Sequence, residues 1–181
     1  ALLPGSRQQE INKHWGIYIE TVDLLKKVYP SLQVIVGKSD NITLPKTDKS
    51  FKIETNAKKA IIASDIAIVA SGTATLECAI EGTPLVVCYK VSTLTWLLAK
   101  LMVKVEHSSI VNLIAGKKIV PEFLQSEMEP NIIKNKLLEL IDEKSKIRDQ
   151  MMEDFLIIKN KLGAPGVYTK IANEILKTTR T

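Results

Sequence analysis

Cysteine, histidine and aromatic residues are scarce in these 181 residues, and each scarcity excludes something. Two cysteines, Cys78 and Cys88, each inside an apolar run, are too few for a disulfide scaffold and point to a reducing, cytoplasmic setting. The only histidines, His14 and His107, have no Cys, Asp or Glu spaced beside them as ligands, so no metal and no cofactor is expected. Aromatics at 5% leave the core to aliphatic side chains. No apolar run reaches the ~18 residues of a membrane-crossing helix, and no signal peptide is expected. Neither a catalytic triad spacing nor the Gly-Lys-Ser/Thr of a P-loop occurs. The net charge of +5, from 25 basic and 20 acidic residues, is mild and dispersed. A nucleic-acid surface would cluster its basic residues with aromatics between them, so no nucleic-acid partner is expected.

What is present has globular proportions, 45% hydrophobic and 25% charged, in a length that suits one α/β domain. Ala1-Leu2-Leu3 reads as the end of a strand running into Pro4-Gly5-Ser6-Arg7, as in a fragment of a longer protein. From Gln8 to Tyr29, Ile11, Trp15, Tyr18, Val22 and Leu25 recur at helical spacing, and Pro30 stops the pattern. Leu32 to Val36 is a β-branched run ended by Gly37, and Lys38 to Ser50 reads as a polar surface loop. Phe51-Lys52-Ile53 suits a short strand, and Asn56 suits the cap of a helix to about Ala63.

Asp65 to Ala70 is apolar on both faces, as a central parallel strand should be. It leads into a helix from Thr73 to Glu81 closed by Gly82. A strand from Leu85 to Tyr89 and a helix from about Thr93 to Lys104 follow. Asn112 to Gly116 is helical or turn-like. Pro130 suits the first turn of a helix to about Glu143. Further helices cover about Lys146 to Leu162 and Val167 to Lys177. Strands alternating with helices predict an α/β fold: a Rossmann-like parallel sheet with helices on both faces. Such sheets bind ligands at the carboxyl ends of their strands, which directs attention to the loops at Pro4, Ser71 and Tyr89.

Ser71-Gly72-Thr73-Ala74-Thr75-Leu76-Glu77 carries the strongest local signal. A strand delivers small residues to a helix start, where free N–H groups and the helix dipole favour an anion. Gly72 lets backbone approach a phosphate, Ser71 and Thr73 add hydroxyls, and Glu77, one turn inside, suits a ribose diol. The same residues also suit a plain N-cap followed by a solvated glutamate. Pro4-Gly5-Ser6-Arg7 is either a pyrophosphate clamp or a turn with an exposed arginine. Asn112 is either a helix cap or a polar ligand group. Between Lys90 and Lys118 five lysines face the single acid Glu106, with Trp96, Leu97, Leu98, Leu101, Met102 and Val103 among them. That stretch suits either an anionic bilayer surface or packing on its own sheet.

Together, Leu2-Leu3-Pro4-Gly5-Ser6-Arg7, Ala63-Ser64-Asp65, Ser71 to Glu77, Asn112-Leu113-Ile114-Ala115-Gly116 and Pro121 to Gln125 resemble the lipid-A-disaccharide synthases. The likeness runs through nearly the whole chain and corresponds to the C-terminal half of that bacterial GT-B glycosyltransferase. The resemblance implies a single UDP-sugar-binding domain over 1–181, with C-terminal helices from about 146 and the N-terminal acceptor half absent. It further implies transfer of 2,3-diacylglucosamine from its UDP-sugar to 2,3-diacylglucosamine 1-phosphate, yielding the lipid A disaccharide phosphate and UDP.

By the same resemblance Arg7 meets the diphosphate, Ser71, Gly72, Thr73 and Ala74 cradle phosphate, Glu77 binds ribose, and Asn112 lies at the donor site. No metal is needed for transfer. The general base is expected in the absent half, so the chain alone binds donor without transferring sugar. Cytoplasmic placement is implied, with weak peripheral contact on the inner face of the bacterial inner membrane. The loop at Lys38 to Ser50 is shorter than the family's. Alternative readings are another GT-B half, from a transferase of peptidoglycan precursors or a UDP-sugar epimerase, and a non-catalytic nucleotide-binding module.

Overall fold

A computed structural model of the chain describes residues 1–91, 107–163, 171, 172 and 175–177. Its elements in chain order are β1 (Leu2–Leu3), α1 (Gln8–Val28), β2 (Ile35–Gly37), β3 (Lys52–Glu54), α2 (Ala57–Ile62), β4 (Ala67–Val69), α3 (Thr73–Glu81) and β5 (Leu85–Tyr89). They continue with α4 (Ile110–Ala115), β6 (Glu122–Leu124), a 3₁₀ turn at Gln125–Glu127, α5 (Pro130–Ile141) and α6 (Lys146–Leu162). The expected helix at Thr93 to Lys104 lies entirely outside the described residues, and so does most of the one at Val167 to Lys177.

The six strands among the described residues are all parallel, in the order β3-β2-β1-β4-β5-β6. The chain therefore grows outward from the centre twice, first from β1 towards β3 and then from β4 towards β6. Right-handed crossovers moving in opposite directions put their helices on opposite faces. Accordingly α1 packs with α5 over β5 on one side, while α3 packs against α2, α4 and α6 on the other. The helical stripe read from the sequence is the buried one: Ile11, Trp15, Tyr18, Val22 and Leu25 all face the core, joined by His14 and Thr21. Tyr18 spends its hydroxyl on the Cys88 carbonyl at 3.1 Å, tying α1 to β5.

Local signals act where expected. The Asn56 side chain accepts from Lys59 N and starts α2, Gly82 ends α3 in the left-handed conformation, and Pro130 opens α5. Three expectations are corrected. The strands at Leu32–Val36 and Asp65–Ala70 shrink to Ile35–Gly37 and Ala67–Val69, because only those residues find ladder partners. The loop from Lys38 to Ser50 is not simply a surface loop. Ile42 is buried, the Gln8 amide pairs with both the N–H and the carbonyl of Thr43 at 2.8 Å, and Trp15 Nε1 donates to Lys46 O at 3.3 Å. Cys78 and Cys88 are free and buried, and burial pushes both thiols up, Cys78 to about 12.

Candidate functional site

A doubly wound sheet has one place where neighbouring strands send their connections to opposite faces, and a crevice opens there at the carboxyl ends. Here that place lies between β1 and β4, which pair Leu2 with Ile68 and Leu3 with Val69. The two loops that leave these strands are Pro4–Arg7 and Ala70–Gly72, the two that the sequence singles out as candidate phosphate binders. Ala70 N donates to Leu3 O at 2.8 Å, and a Cβ built on Gly5 would sit 3.4 Å from the Ala70 Cβ. Residues some 65 positions apart thus meet edge to edge.

On the β4 side, Gly72 is the N-cap of α3 with φ 148° and ψ −165°, a backbone conformation open essentially to glycine alone. It supplies no side-chain cap, so the N–H groups of Thr73 and Ala74 at the start of α3 receive no acceptor from the cap position. Buried Thr75 holds the Gly72 carbonyl back, through its hydroxyl at 2.7 Å and its N–H at 3.2 Å. Thr73 is exposed at the first helical position, with Ala74 half-buried behind it. The Ser71 hydroxyl donates to the Ser108 carbonyl at 2.7 Å, so its hydrogen is already committed. Glu77 is half-buried one turn further along α3. The next carboxylate on that stripe, Glu81, pairs with Lys58 of α2 at 2.9 Å, and Glu77 adds to the field on the same ammonium.

On the β1 side, Arg7 begins α1 with its guanidinium largely exposed, 3.1 Å from Glu10 Oε1. The same oxygen accepts from the Tyr89 hydroxyl at 2.8 Å, and burial followed by this bond pushes the phenol up to about 12. Beneath the loop, buried His14 stacks on Tyr18, and its Nε2 donates to Pro4 O at 3.0 Å. Its Nδ1 is buried without a partner, and desolvation outweighs the Pro4 bond and the Glu10 charge to lower its pKa. His14 is therefore a neutral brace for the loop.

Asn112 does not open into the crevice. It is fully buried, donating to Val120 O at 3.0 Å and Glu122 Oε1 at 2.8 Å, and accepting from Ile119 N at 2.8 Å and Val120 N at 2.9 Å. Every hydrogen-bonding position of its amide is used. Nor is it the helix cap, a place held by Ser109, whose Oγ accepts from Asn112 N at 3.4 Å. Asn112 reaches the site from behind, through Glu122 and the turn at Ser108 and Ser109. Nothing local in the sequence assigns a role to the side chains of Glu10, His14, Tyr89 and Glu122, because the bonds from Tyr89 to Glu10, from His14 to Pro4 and from the Ser108–Ser109 turn to Glu122 form only in the fold.

Among the described residues no helix is long and apolar enough to cross a membrane. The basic helix expected around Trp96, Lys100 and Lys104 lies outside them.

A family model described as lipid-A-disaccharide synthetase matches residues 1–165. A lipid-A-disaccharide synthase of Myxococcus xanthus is 36% identical over 98% of this chain and 48% of its own length. One from Klebsiella pneumoniae is 37% identical over 90% of this chain and 45% of its own. The chain spans about half the length of the curated relatives it matches. Among solved structures, the calicheamicin glycosyltransferase CalG4, a GT-B enzyme, aligns over 87% of this chain and 38% of its own, with a TM-score of 0.51 and 14% identity. At that identity the likeness concerns the fold.

Proposed function

The chain belongs to the lipid-A-disaccharide synthetase family, and on that premise we propose that it is the UDP-sugar-binding half of a lipid A glycosyltransferase. The donor is UDP-2,3-diacylglucosamine and the acceptor 2,3-diacylglucosamine 1-phosphate. The observation that carries the reading is the meeting of the Pro4–Arg7 and Ala70–Gly72 loops at the switch point between β1 and β4.

In this reading the diphosphate lies over the start of α3, facing the backbone N–H groups of Gly72, Thr73 and Ala74 and the positive end of the helix dipole. Arg7, held on Glu10 when no ligand is present, turns its exposed guanidinium to the same group. Glu77 accepts from the ribose hydroxyls, and Ser71 is part of the backbone cradle. The acceptor hydroxyl attacks the anomeric carbon, the bond to the diphosphate oxygen breaks, and UDP leaves with the electron pair. Its growing charge is met by the α3 N-terminus, whose N–H groups are already oriented by the fold, and by Arg7 once it has turned from Glu10. The hydroxyl proton passes to a base outside this chain, so this half binds donor without turnover. Acylated substrates also bring the protein to a bilayer. Five lysines against one acid between Lys90 and Lys118 support weak peripheral contact, tested by salt-sensitive sedimentation with anionic vesicles.

Thermal melting with UDP tests the site. A ligand at ~100 times its Kd adds about 2.7 kcal/mol to native stability. For a domain of this size that raises Tm by roughly 5–11 °C. A melting curve unmoved by millimolar UDP refutes the donor site.

A further inference from the structure

Glu122 opens β6 opposite Val87 and is nine-tenths buried, an expensive place for a carboxylate. An apolar residue would serve the sheet as well, since buried ion pairs and charges rarely stabilise a fold more than good packing does. Its surroundings instead converge on it with donors alone. Oε2 accepts from the N–H and hydroxyl of Ser108, at 3.0 and 2.9 Å. Oε1 accepts from the N–H and hydroxyl of Ser109, at 2.9 and 2.6 Å, and from Asn112 Nδ2 at 2.8 Å. Only an ionised carboxylate accepts at both oxygens without offering a hydrogen of its own. Burial by itself raises its pKa, but the Ser109 and Ser108 bonds together outweigh burial and hold it below the ordinary value.

The object held this way is the turn before α4, and its outward contact is the Ser108 carbonyl, which receives the Ser71 hydroxyl at 2.7 Å. We propose that Glu122 is a positioning residue for the donor site, fixing the Ser108–Ser109 turn so that Ser108 anchors Ser71 and aims the β4–α3 loop at the diphosphate. This rests on the assignment of UDP to the switch-point crevice. Glutamine at 122 is nearly isosteric but presents an NH₂ to two donors, which displaces the turn while leaving its volume unchanged.

Calorimetric titration of the chain with UDP tests the coupling as a double-substitution cycle. Glu122→Gln is expected to weaken UDP ~10-fold alone, about the effect of one misplaced hydrogen bond. In a Ser71→Ala background, where the anchor is already cut, it is expected to weaken UDP no more than ~2-fold. Ser108→Ala, which removes one donor and keeps the carboxylate, is expected to show a smaller loss with the same dependence on Ser71. It carries the test if Glu122→Gln does not fold. Wild-type affinity in Glu122→Gln, or equal fold losses in both backgrounds, overturns the positioning role while leaving the donor site standing. No UDP binding by the unsubstituted chain overturns the donor site, and this inference with it.

Discussion

Glycine-to-alanine substitution at two positions with equally empty surroundings should move stability in opposite directions. A Cβ added at Gly72 or at Gly16 meets no atom within 4 Å, so neither substitution creates a clash. What differs is the backbone. Gly16 lies within α1 and needs no positive φ, so alanine there removes the entropy cost of a helical glycine, about 0.5–1 kcal/mol. Gly72 sits at φ 148° and ψ −165°, where any L side chain is strained by about 1–3 kcal/mol. At about 2–4 °C per kcal/mol for this size, Gly16→Ala should raise Tm by roughly 1–4 °C and Gly72→Ala lower it by roughly 2–12 °C. The second substitution carries a further consequence. To relieve strain the Ala70–Thr73 backbone must rotate, turning its N–H groups off their common aim, so the Tm gain on adding UDP should shrink in Gly72→Ala and persist in Gly16→Ala. Scanning calorimetry of the two variants, with and without UDP, reads both effects. A Gly72→Ala variant as stable as the parent, with an undiminished UDP shift, would show that the left-handed backbone at α3 plays no part in the site.

Asn112→Ala strips partners from Ile119 N, Val120 N and Val120 O together, so unfolding titration should show a loss of several kcal/mol at ~1–3 for each orphaned group. Unchanged stability with abolished UDP binding would instead place the side chain on the ligand. Arg7→Ala should weaken both UDP and inorganic diphosphate by about ten- to a hundred-fold, whereas Glu77→Gln should weaken UDP alone, since the carboxylate is assigned to ribose. Equal losses for both ligands with Glu77→Gln would refute that division. His14, neutral in the fold with a lowered pKa, binds fewer protons folded than unfolded, so its contribution is present above its unfolded pKa of about 6.5 and declines as pH falls below it. In His14→Gln, whose amide can still donate to Pro4 O, that part of the acid destabilisation should vanish in denaturant melts at pH 5–7. An identical pH slope in the variant removes His14 as its source.

Much of this arrangement is written locally in the sequence. The stripe Ile11, Trp15, Tyr18, Val22, Leu25 specifies which side of α1 is buried, because helical geometry repeats every 3.6 residues whatever lies opposite. Asn56, Gly82 and Pro130 mark helix ends through their own side chains or φ limits, and Lys146 to Leu162 was readable as a helix to the residue. The two loops proposed to hold phosphate were readable as strand-to-helix turns too, since small residues between a strand and a helix announce themselves. The sequence could not say that they meet. That depends on β1 and β4 being neighbours in the sheet, a pairing between segments 65 residues apart that no local period encodes. Strand β6 escaped notice for a related reason: it is three residues long and opens with a glutamate, which in isolation reads as exposed. Asn112 reads as a helix cap or a ligand group, and Glu122 as a surface polar residue, until the fold closes around them. Their burial is bearable only because Glu122 takes donors from the turn at Ser108 and Ser109 and from Asn112, while Asn112 closes its other bonds on Ile119 and Val120, and that matching of donors to acceptors exists only in three dimensions.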